Sequence, residues 1–593
     1  MALTAAQLEE QKKQAEEILF SGPETLGFAK ALFFGHFRAD LVFPYPELPP
    51  DQLDTVNQAV AKVRRFCEEK IDPVAIDRNA DIPREVIDGL AELGVLGMTV
   101  PRDVGGLGFT QQGYTKVMEV IGGRDASTAV FVNAHQSIGI RSLILFGTAE
   151  QKAKWLPDLV AGRKLAAFAL TEEQAGSDAA NVQTRATPTE DGSAYILNGE
   201  KRYITNAAIA QVLTVAARTP APSPGKPDDT KITAFLVTPD MPGFEIVEGR
   251  MEKCGIRGTA TGKLRFTNMR VPKENVLGPV GKGLKIALTI LDFGRTTFGA
   301  SCMGVAKVCM KAAVKHAKSR VQFQQPLADF ELVKKKLAFM AAHTFAMESA
   351  TQQCAAFIDR GAEDYMLETA ILKIFATEHL WTIINETIQI FGGQAYFTDE
   401  PYERMMRDAR INTIGEGAND VLKAFIAVVG SRGPGMRLDA MRRRPVRNLH
   451  RLVGYGARHL WKSAGLGTPR VPVRSESLAK EAAELGKLVK KLGTTLPWVF
   501  AKAGTEQVFI QSQYQHERLA DIAIDLYVGS CVLSRLDHLM TKGGGDGTDM
   551  NEVEAGRYFL ALAFRRVRQN FRALFDNDDQ KTTAAANATL SKY

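Results

Sequence analysis

The chain has 593 residues, of which 45% are hydrophobic and 24% charged, with a formal net charge of +7. This balance describes a globular protein of several domains with a large core, and it excludes disordered, collagen-like and small disulfide-stapled chains. Cys67, Cys254, Cys302, Cys309, Cys354 and Cys531 are scattered without a C-x-x-C pair, so no zinc or other metal site is expected and a reducing compartment fits best.

Residues 1–52 read as an N-terminal extension. Their start carries acidic residues and no apolar core of a secretory signal, and no uninterrupted apolar run long enough to cross a bilayer follows, so a cytoplasmic location is expected. From 53 to 165 the pattern is helical, punctuated at Pro83, Pro101 and Gly105-Gly106. Between 166 and 282 the period changes. Segments beginning at Ala194, Val212, Lys231 and Lys263 are β-branched or aromatic-rich and separated by Gly, Pro and Asp, as in a small antiparallel β domain. Helical patterning resumes over 283–432 and again over 475–593.

Between these last two regions, at 433–474, lies the source of the positive charge. From Arg437 to Arg474 the chain has nine Arg and one Lys against one Asp, so this stretch carries +9 and the rest of the protein about −2. Leu449, Leu452, Val453, Gly456 and Leu460 recur at helical spacing, with Arg451, Arg458 and Lys462 off the stripe and Trp461 beside it. Two readings stand: a basic amphipathic helix on an anionic membrane surface, or a solvated linker whose stripe docks on its own protein. No stacking aromatics or nucleic-acid motif accompany the charge, so no nucleic-acid partner is expected.

One loop carries a candidate for chemistry. Glu416 lies between Gly415 and Gly417, just after an apolar turn. Glycines let a ligand approach the main chain, and apolar surroundings make a carboxylate more basic, whereas an isolated Gly-Glu-Gly is also an ordinary exposed loop.

Four motifs occur in a fixed order: Phe168-Ala-Leu-Thr-Glu-Glu-Gln-Ala-Gly-Ser-Asp, Lys201-Arg-Tyr-Ile-Thr-Asn, Gln389-Ile-Phe-Gly-Gly and the Glu416 loop. Together they resemble the acyl-CoA dehydrogenases. Phe43-Pro-Tyr-Pro, Ala134-His-Gln-Ser-Ile-Gly and Arg518-Leu-Ala-Asp-Ile-Ala-Ile-Asp-Leu-Tyr look like the very-long-chain branch. The resemblance implies a mainly α fold with a central small antiparallel β domain, in the order α, β, α, followed by a C-terminal helical bundle. It implies FAD-dependent conversion of a long-chain or very-long-chain acyl-CoA to the trans-2-enoyl-CoA in fatty-acid β-oxidation. Glu416 would remove the α proton and flavin N5 would accept the β hydride, since no side chain takes a hydride.

The resemblance also assigns residues. Phe168, Leu170, Thr171, Ser177, Tyr203, Ile204 and Thr205 would contact the flavin, and Ser177 would also border the CoA. Arg320 and Phe323 would reach the partner's FAD in a homodimer, while Gln389, Gly392 and Gly393 would receive its adenine end. Ala418, Asn419 and Asp420 would close the flavin side, and Asp292, Arg295 and Gly417 the substrate side. For Arg295 a core ion pair with Asp292 is an equal alternative. Electron-transfer flavoprotein would be the redox partner; an acyl-CoA oxidase, or an FAD-binding scaffold or assembly protein with weak turnover, are the competing functions.

Several positions depart from the family. Gly415 stands where an aromatic is usual, Ala418 where Thr is, Gln324 and Ala395 where Gly is, and Glu173 where Pro is. Gly294 occupies the position at which some members carry their catalytic Glu, which leaves Glu416 without a local rival. Ala129 and Asn133, four residues apart and so on one helix face, fall where the very-long-chain branch deepens its acyl pocket. His135, among apolar and small residues, reads as a structural histidine.

Overall fold

In a computed structural model of the protein, residues 26–222, 228–442, 467–542 and 550–593 are described. The chain forms two compact units. The first contains Glu47–Met340 and Ala376–Ala418; the second contains the described residues up to Pro46 together with Ala341–Phe375 and the chain from Asn419 onward.

The first unit opens with helices, among them Pro50–Lys70, Gln111–Arg124 and Ala149–Val160. The last begins in a capping box: Thr148 Oγ1 accepts from Gln151 N, and Gln151 Oε1 accepts from Thr148 N. Ala126–Phe146 forms one helical run whose middle, Asn133–Ile140, is a π-helix. By length and hydropathy this run is apolar enough to cross a membrane, yet 72% of its most apolar window is buried inside the protein, as a core helix is. His135 is spent there: its ring pairs with Leu159 O and accepts from Ala166 N, and burial pushes its pKa down to about 4.

The chain then enters an eight-stranded sheet: β1 (Ala166–Ala169), β2 (Arg185–Pro188), β3 (Ala194–Ile204), β4 (Val212–Pro220), β5 (Thr230–Val237), β6 (Phe244–Glu248), β7 (Gly262–Pro272) and β8 (Val276–Leu277). Strand order is β6-β7-β3-β2-β4-β5-β8, with β1 also on β4. The four segments recognised from their composition lie in β3, β4, β5 and β7. Most pairings are antiparallel as expected, but β1 and β2 each run parallel to β4. Parallel neighbours require long crossovers, and here the chain between β1 and β4 supplies one, so the sheet is mixed. Inward residues such as Leu197, Leu213, Phe235 and Phe266 make its core.

Gly283–Ser319 is a long helix leaving the sheet, followed by Glu331–Asp359, Met366–Phe391 and Asn419–Arg442. In the second unit, Ala479–Ala503, Gln513–Lys542 and Met550–Ala573 form the C-terminal helices. Of the expected N-terminal extension, residues 26–46 belong to this unit: in Phe28–Phe33 every residue except Lys30 is buried, and Phe33 packs against Gly430. Ala29 N donates to Glu368 at 2.8 Å, and Lys30 pairs with Asp364 at 2.8 Å.

Candidate functional site

Glu416 stands on the turn that follows the helix Tyr402–Arg410, with φ of 55°, and Gly417 follows at φ of 96°. A left-handed backbone is uncommon for a residue with a Cβ, so the turn holds Glu416 in a conformation that the chain would not choose alone. Its side chain is half-buried. Asn133 Nδ2, from the first position of the π-helix, donates to Glu416 Oε1 at 2.7 Å. A Cβ added to Gly294, on Gly283–Ser319, would lie 2.8 Å from Glu416 Oε2 and 3.3 Å from Ile138 Cδ1. The carboxylate therefore fills space that only a glycine at 294 leaves open. Positions 133, 294 and 416, far apart in sequence, converge on one carboxylate.

A small, open-mouthed cavity of about 30 Å³ has Asn133 in its lining. Its walls include Ala126, Ala129, Phe298, Val305 and Leu380, all apolar. Ala126 lies seven residues from Asn133 on the helical run, a rise of roughly 10 Å. Gly122, Ala126, Val305, Leu380 and Asn412 are shared with a second cavity that continues past them and is walled by Asp125, Arg404 and Asp408. The apolar reach ends at those charges. Burial pushes Asp408 up to about 7 although Ile256 N donates to it, and burial likewise raises Asp125.

Glycine at 415 leaves the other side open, since a Cβ there would meet nothing closer than Ile411 O at 3.6 Å. Asp292 and Arg295 are both buried and bonded to each other at 3.1 Å, which is the ion pair weighed against a substrate role. Asn419 and Asp420 belong to the second unit, where Asn419 is buried and accepts from Lys373 Nζ at 2.8 Å, and Asp420 is exposed.

The residues expected to face a flavin fall in two groups within the first unit. Phe168–Thr171 and Tyr203–Thr205 are neighbours, joined by Arg202 N donating to Thr171 O at 2.9 Å. Tyr203 is 57% exposed on a left-handed backbone with φ of 60°, and Phe168, Leu170, Thr171 and Thr205 are half-buried. Neither threonine hydroxyl makes a hydrogen bond among the described residues. An exposed aromatic and two unspent hydroxyls on these two neighbouring segments fit a planar ring with polar edges. Ile204 differs: at 2% exposure its side chain joins the sheet core, so it offers backbone only. Ser177 is exposed beyond them.

Arg320, Phe323, Gln389, Gly392 and Gly393 make the second group, and all are exposed, Phe323 to 90%. The stacked rings of His316 and Phe391, 4.1 Å apart, bring the ends of their two helices together. A Cβ at Gly392 or Gly393 would meet nothing within 4 Å. An open surface of this kind can accept a group, or a second chain, against its backbone.

Sequence reasoning missed what lies beneath the first group. Lys201 is fully buried and donates to Leu170 O at 3.0 Å and Glu172 Oε1 at 2.6 Å. Glu172 accepts further bonds from Gln183 N, Thr184 N and Thr184 Oγ1. Burial works to raise the Glu172 carboxyl, but Lys201 and these donors outweigh it and hold it below the usual range, while burial pushes Lys201 down to about 8. No local signal marked it, since Lys201 stands between Glu200 and Arg202 in a charged run. Asn133 was legible only as a pocket position, because its bond to Glu416 spans 283 residues.

The chain matches family models for the acyl-CoA dehydrogenase N-terminal domain over residues 54–163, the middle domain over 167–269 and the C-terminal domain over 281–430. Residues 476–592 match the ACAD9/ACADV C-terminal domain. Human very long-chain specific acyl-CoA dehydrogenase, mitochondrial, is 38% identical over 96% of this chain and 87% of its own. A probable acyl-CoA dehydrogenase of Mycobacterium tuberculosis, FadE10, is 34% identical over 98% and 91%. Among solved structures, an acyl-CoA dehydrogenase from Bacillus anthracis complexed with FAD is 27% identical, with a TM-score of 0.78 over 94% of each chain.

Proposed function

This chain belongs to the acyl-CoA dehydrogenase family, and on that premise we propose that it oxidises long-chain or very-long-chain acyl-CoA to trans-2-enoyl-CoA in fatty-acid β-oxidation. It is a flavin-dependent oxidoreductase with FAD as its cofactor. The observation that carries the reading is the Glu416 carboxylate, seated on Gly294 and clamped by Asn133, a residue that also lines a largely apolar cavity.

FAD, when bound, supplies the acceptor for the β hydride. Phe168, Leu170, Thr171, Tyr203 and Thr205 would hold its ring and, through a homodimer contact, Arg320, Phe323, Gln389, Gly392 and Gly393 its other end. Glu416 is the general base that takes the α proton onto a carboxylate oxygen. Its left-handed turn aims the side chain away from the loop and toward Asn133 and Gly294. The cavity walled by Ala126, Ala129 and Phe298 receives the acyl chain and excludes water from the proton transfer. Electrons leave to an electron-transfer flavoprotein.

The experiment is anaerobic mixing of the holoenzyme with acyl-CoAs of increasing length, following flavin absorbance. Bleaching that is fastest with long chains is expected. Fastest bleaching with short chains would overturn the chain-length assignment, and no bleaching with any acyl-CoA would favour the scaffold reading, to which the open space at Gly415 lends its one structural argument. Aerobic peroxide formation as fast as turnover with an artificial acceptor would make it an oxidase.

We place the enzyme on the cytoplasmic side, with a peripheral contact through residues 437–474 at the inner face of the membrane. Residues 443–466, which carry most of that charge, lie outside the described residues. Liposomes of anionic lipid should pull down the protein at low salt and release it at high salt. Equal co-sedimentation after neutralising Arg442, Arg443, Arg444 and Arg447 would refute the contact.

A further inference from the structure

We infer that Asn133 is the positioning residue of the base, holding Glu416 in both of its protonation states; this rests on the reading of Glu416 given above. Three observations carry it. Asn133 Nδ2 lies 2.7 Å from Glu416 Oε1. Asn133 is only 3% exposed, fixed at the start of the π-helix and on the cavity wall. Its Oδ1 is buried without a hydrogen-bond partner among the described residues.

Glu416 stands between two glycines on a turn, so the neighbouring residues offer its side chain no packing support. A helical side chain supplies what the loop lacks. Leaving a buried acceptor unmatched is costly, so an amide here needs a reason. The amide is suited to a partner whose proton comes and goes. While Glu416 is ionised, Nδ2 donates to it; once a carboxylate oxygen has received the α proton, half a turn of the amide presents Oδ1 to accept the new O–H. The second state gives Oδ1 the partner it lacks in the first.

The charged and titratable groups on the surrounding elements have partners of their own. Asp292 and Arg295, flanking Gly294, bond each other; His135, two residues from Asn133, bonds Leu159 and Ala166; Arg410, before the turn, donates to Thr413 Oγ1. Asn133 is a neutral donor to the carboxylate, and a donor favours the ionised form. Removing that donor makes Glu416 harder to ionise, so the rate of proton abstraction falls first on the acid side.

The test is the pH dependence of anaerobic flavin reduction by palmitoyl-CoA in holoenzyme carrying Asn133→Ala. The acid limb should move upward by about one pH unit, with roughly a 10-fold loss of rate below it, a recovery toward wild type above it, and an unchanged content of FAD. The isosteric Asn133→Asp, which places a second carboxylate against the first, should move the limb further in the same direction and serves if the Ala variant folds poorly. A limb that stays at the wild-type pH in both variants, or a loss of rate by one factor at every pH, would overturn the role of Asn133. The two readings fail separately. If Glu416→Gln still reduces its flavin at the wild-type rate, the base assignment is wrong; if that variant is dead while both Asn133 variants keep the wild-type profile, only the present inference falls.

Discussion

Replacing Glu416 by Gln is expected to slow anaerobic flavin reduction by long-chain acyl-CoA about 10²- to 10⁴-fold, the range ascribed to a positioned general base. Gln has the size of Glu and satisfies Asn133 as well, since its carbonyl accepts the same bond that Glu416 Oε1 accepts at 2.7 Å. What it lacks is a site for the α proton. The loop geometry and the contact with Gly294 should therefore survive, and bound FAD per chain should equal that of the wild type. A loss of both FAD and rate would point to a collapsed site. A variant that bleaches its flavin as fast as wild type would remove Glu416 from the chemistry altogether.

The second large effect is expected from Lys201→Met. Its ammonium is fully buried and spans Leu170 O and Glu172 Oε1, so it ties β3 to the segment that follows β1. Met fills the volume but leaves the Glu172 carboxylate, itself 6% exposed, without its counter-charge. Removing one partner of a buried ion pair costs about 3–5 kcal/mol, far more than the pair contributes as a whole. Urea unfolding should show a loss of that size, and FAD content should fall with it, because Leu170–Thr171 and Tyr203–Thr205 lose the tie that sets their spacing. Adding Glu172→Leu to Lys201→Met should recover much of the stability by removing the orphaned charge. It should not recover FAD, since Thr184 and Gln183 lose their acceptor as well. Full FAD content and unchanged unfolding in Lys201→Met would show that the pair has no such role.

Both effects involve residues whose motifs were visible in the sequence, but neither contact was. Glu416 could be singled out because two glycines beside a carboxylate are a local pattern. Its clamp could not: Asn133 is an ordinary polar residue in an apolar helix, and nothing in its neighbourhood names a partner 283 residues away. Lys201 and Glu172 each fell inside a quoted motif, yet neither received a role, because an ion pair is read from a distance and not from a string. The departure at Gly415 was equally plain in the sequence, while the open space beside it came from the fold.

The strands show the same division. β3, β4, β5 and β7 were legible from β-branched and aromatic runs bounded by turn residues, which depend on a few neighbours. The parallel seating of β1 and β2 on β4 was not, since register and direction are settled by which faces must be buried. Nor was the N-terminal segment expected in the second unit, where Phe33 packs on Gly430.

The sequence by itself determined the helical and strand periods, the family and the chemistry available at Glu416, because these follow from residue type and short-range spacing. Only the tertiary structure decided that Asn133 and Gly294 meet that carboxylate, that Lys201 is buried against Glu172, and that Asn133 also lines a largely apolar cavity adjoining one walled by Asp125, Arg404 and Asp408. These contacts exist because packing brings distant helices and strands within a few ångströms, and close packing admits only the side chains that fit there.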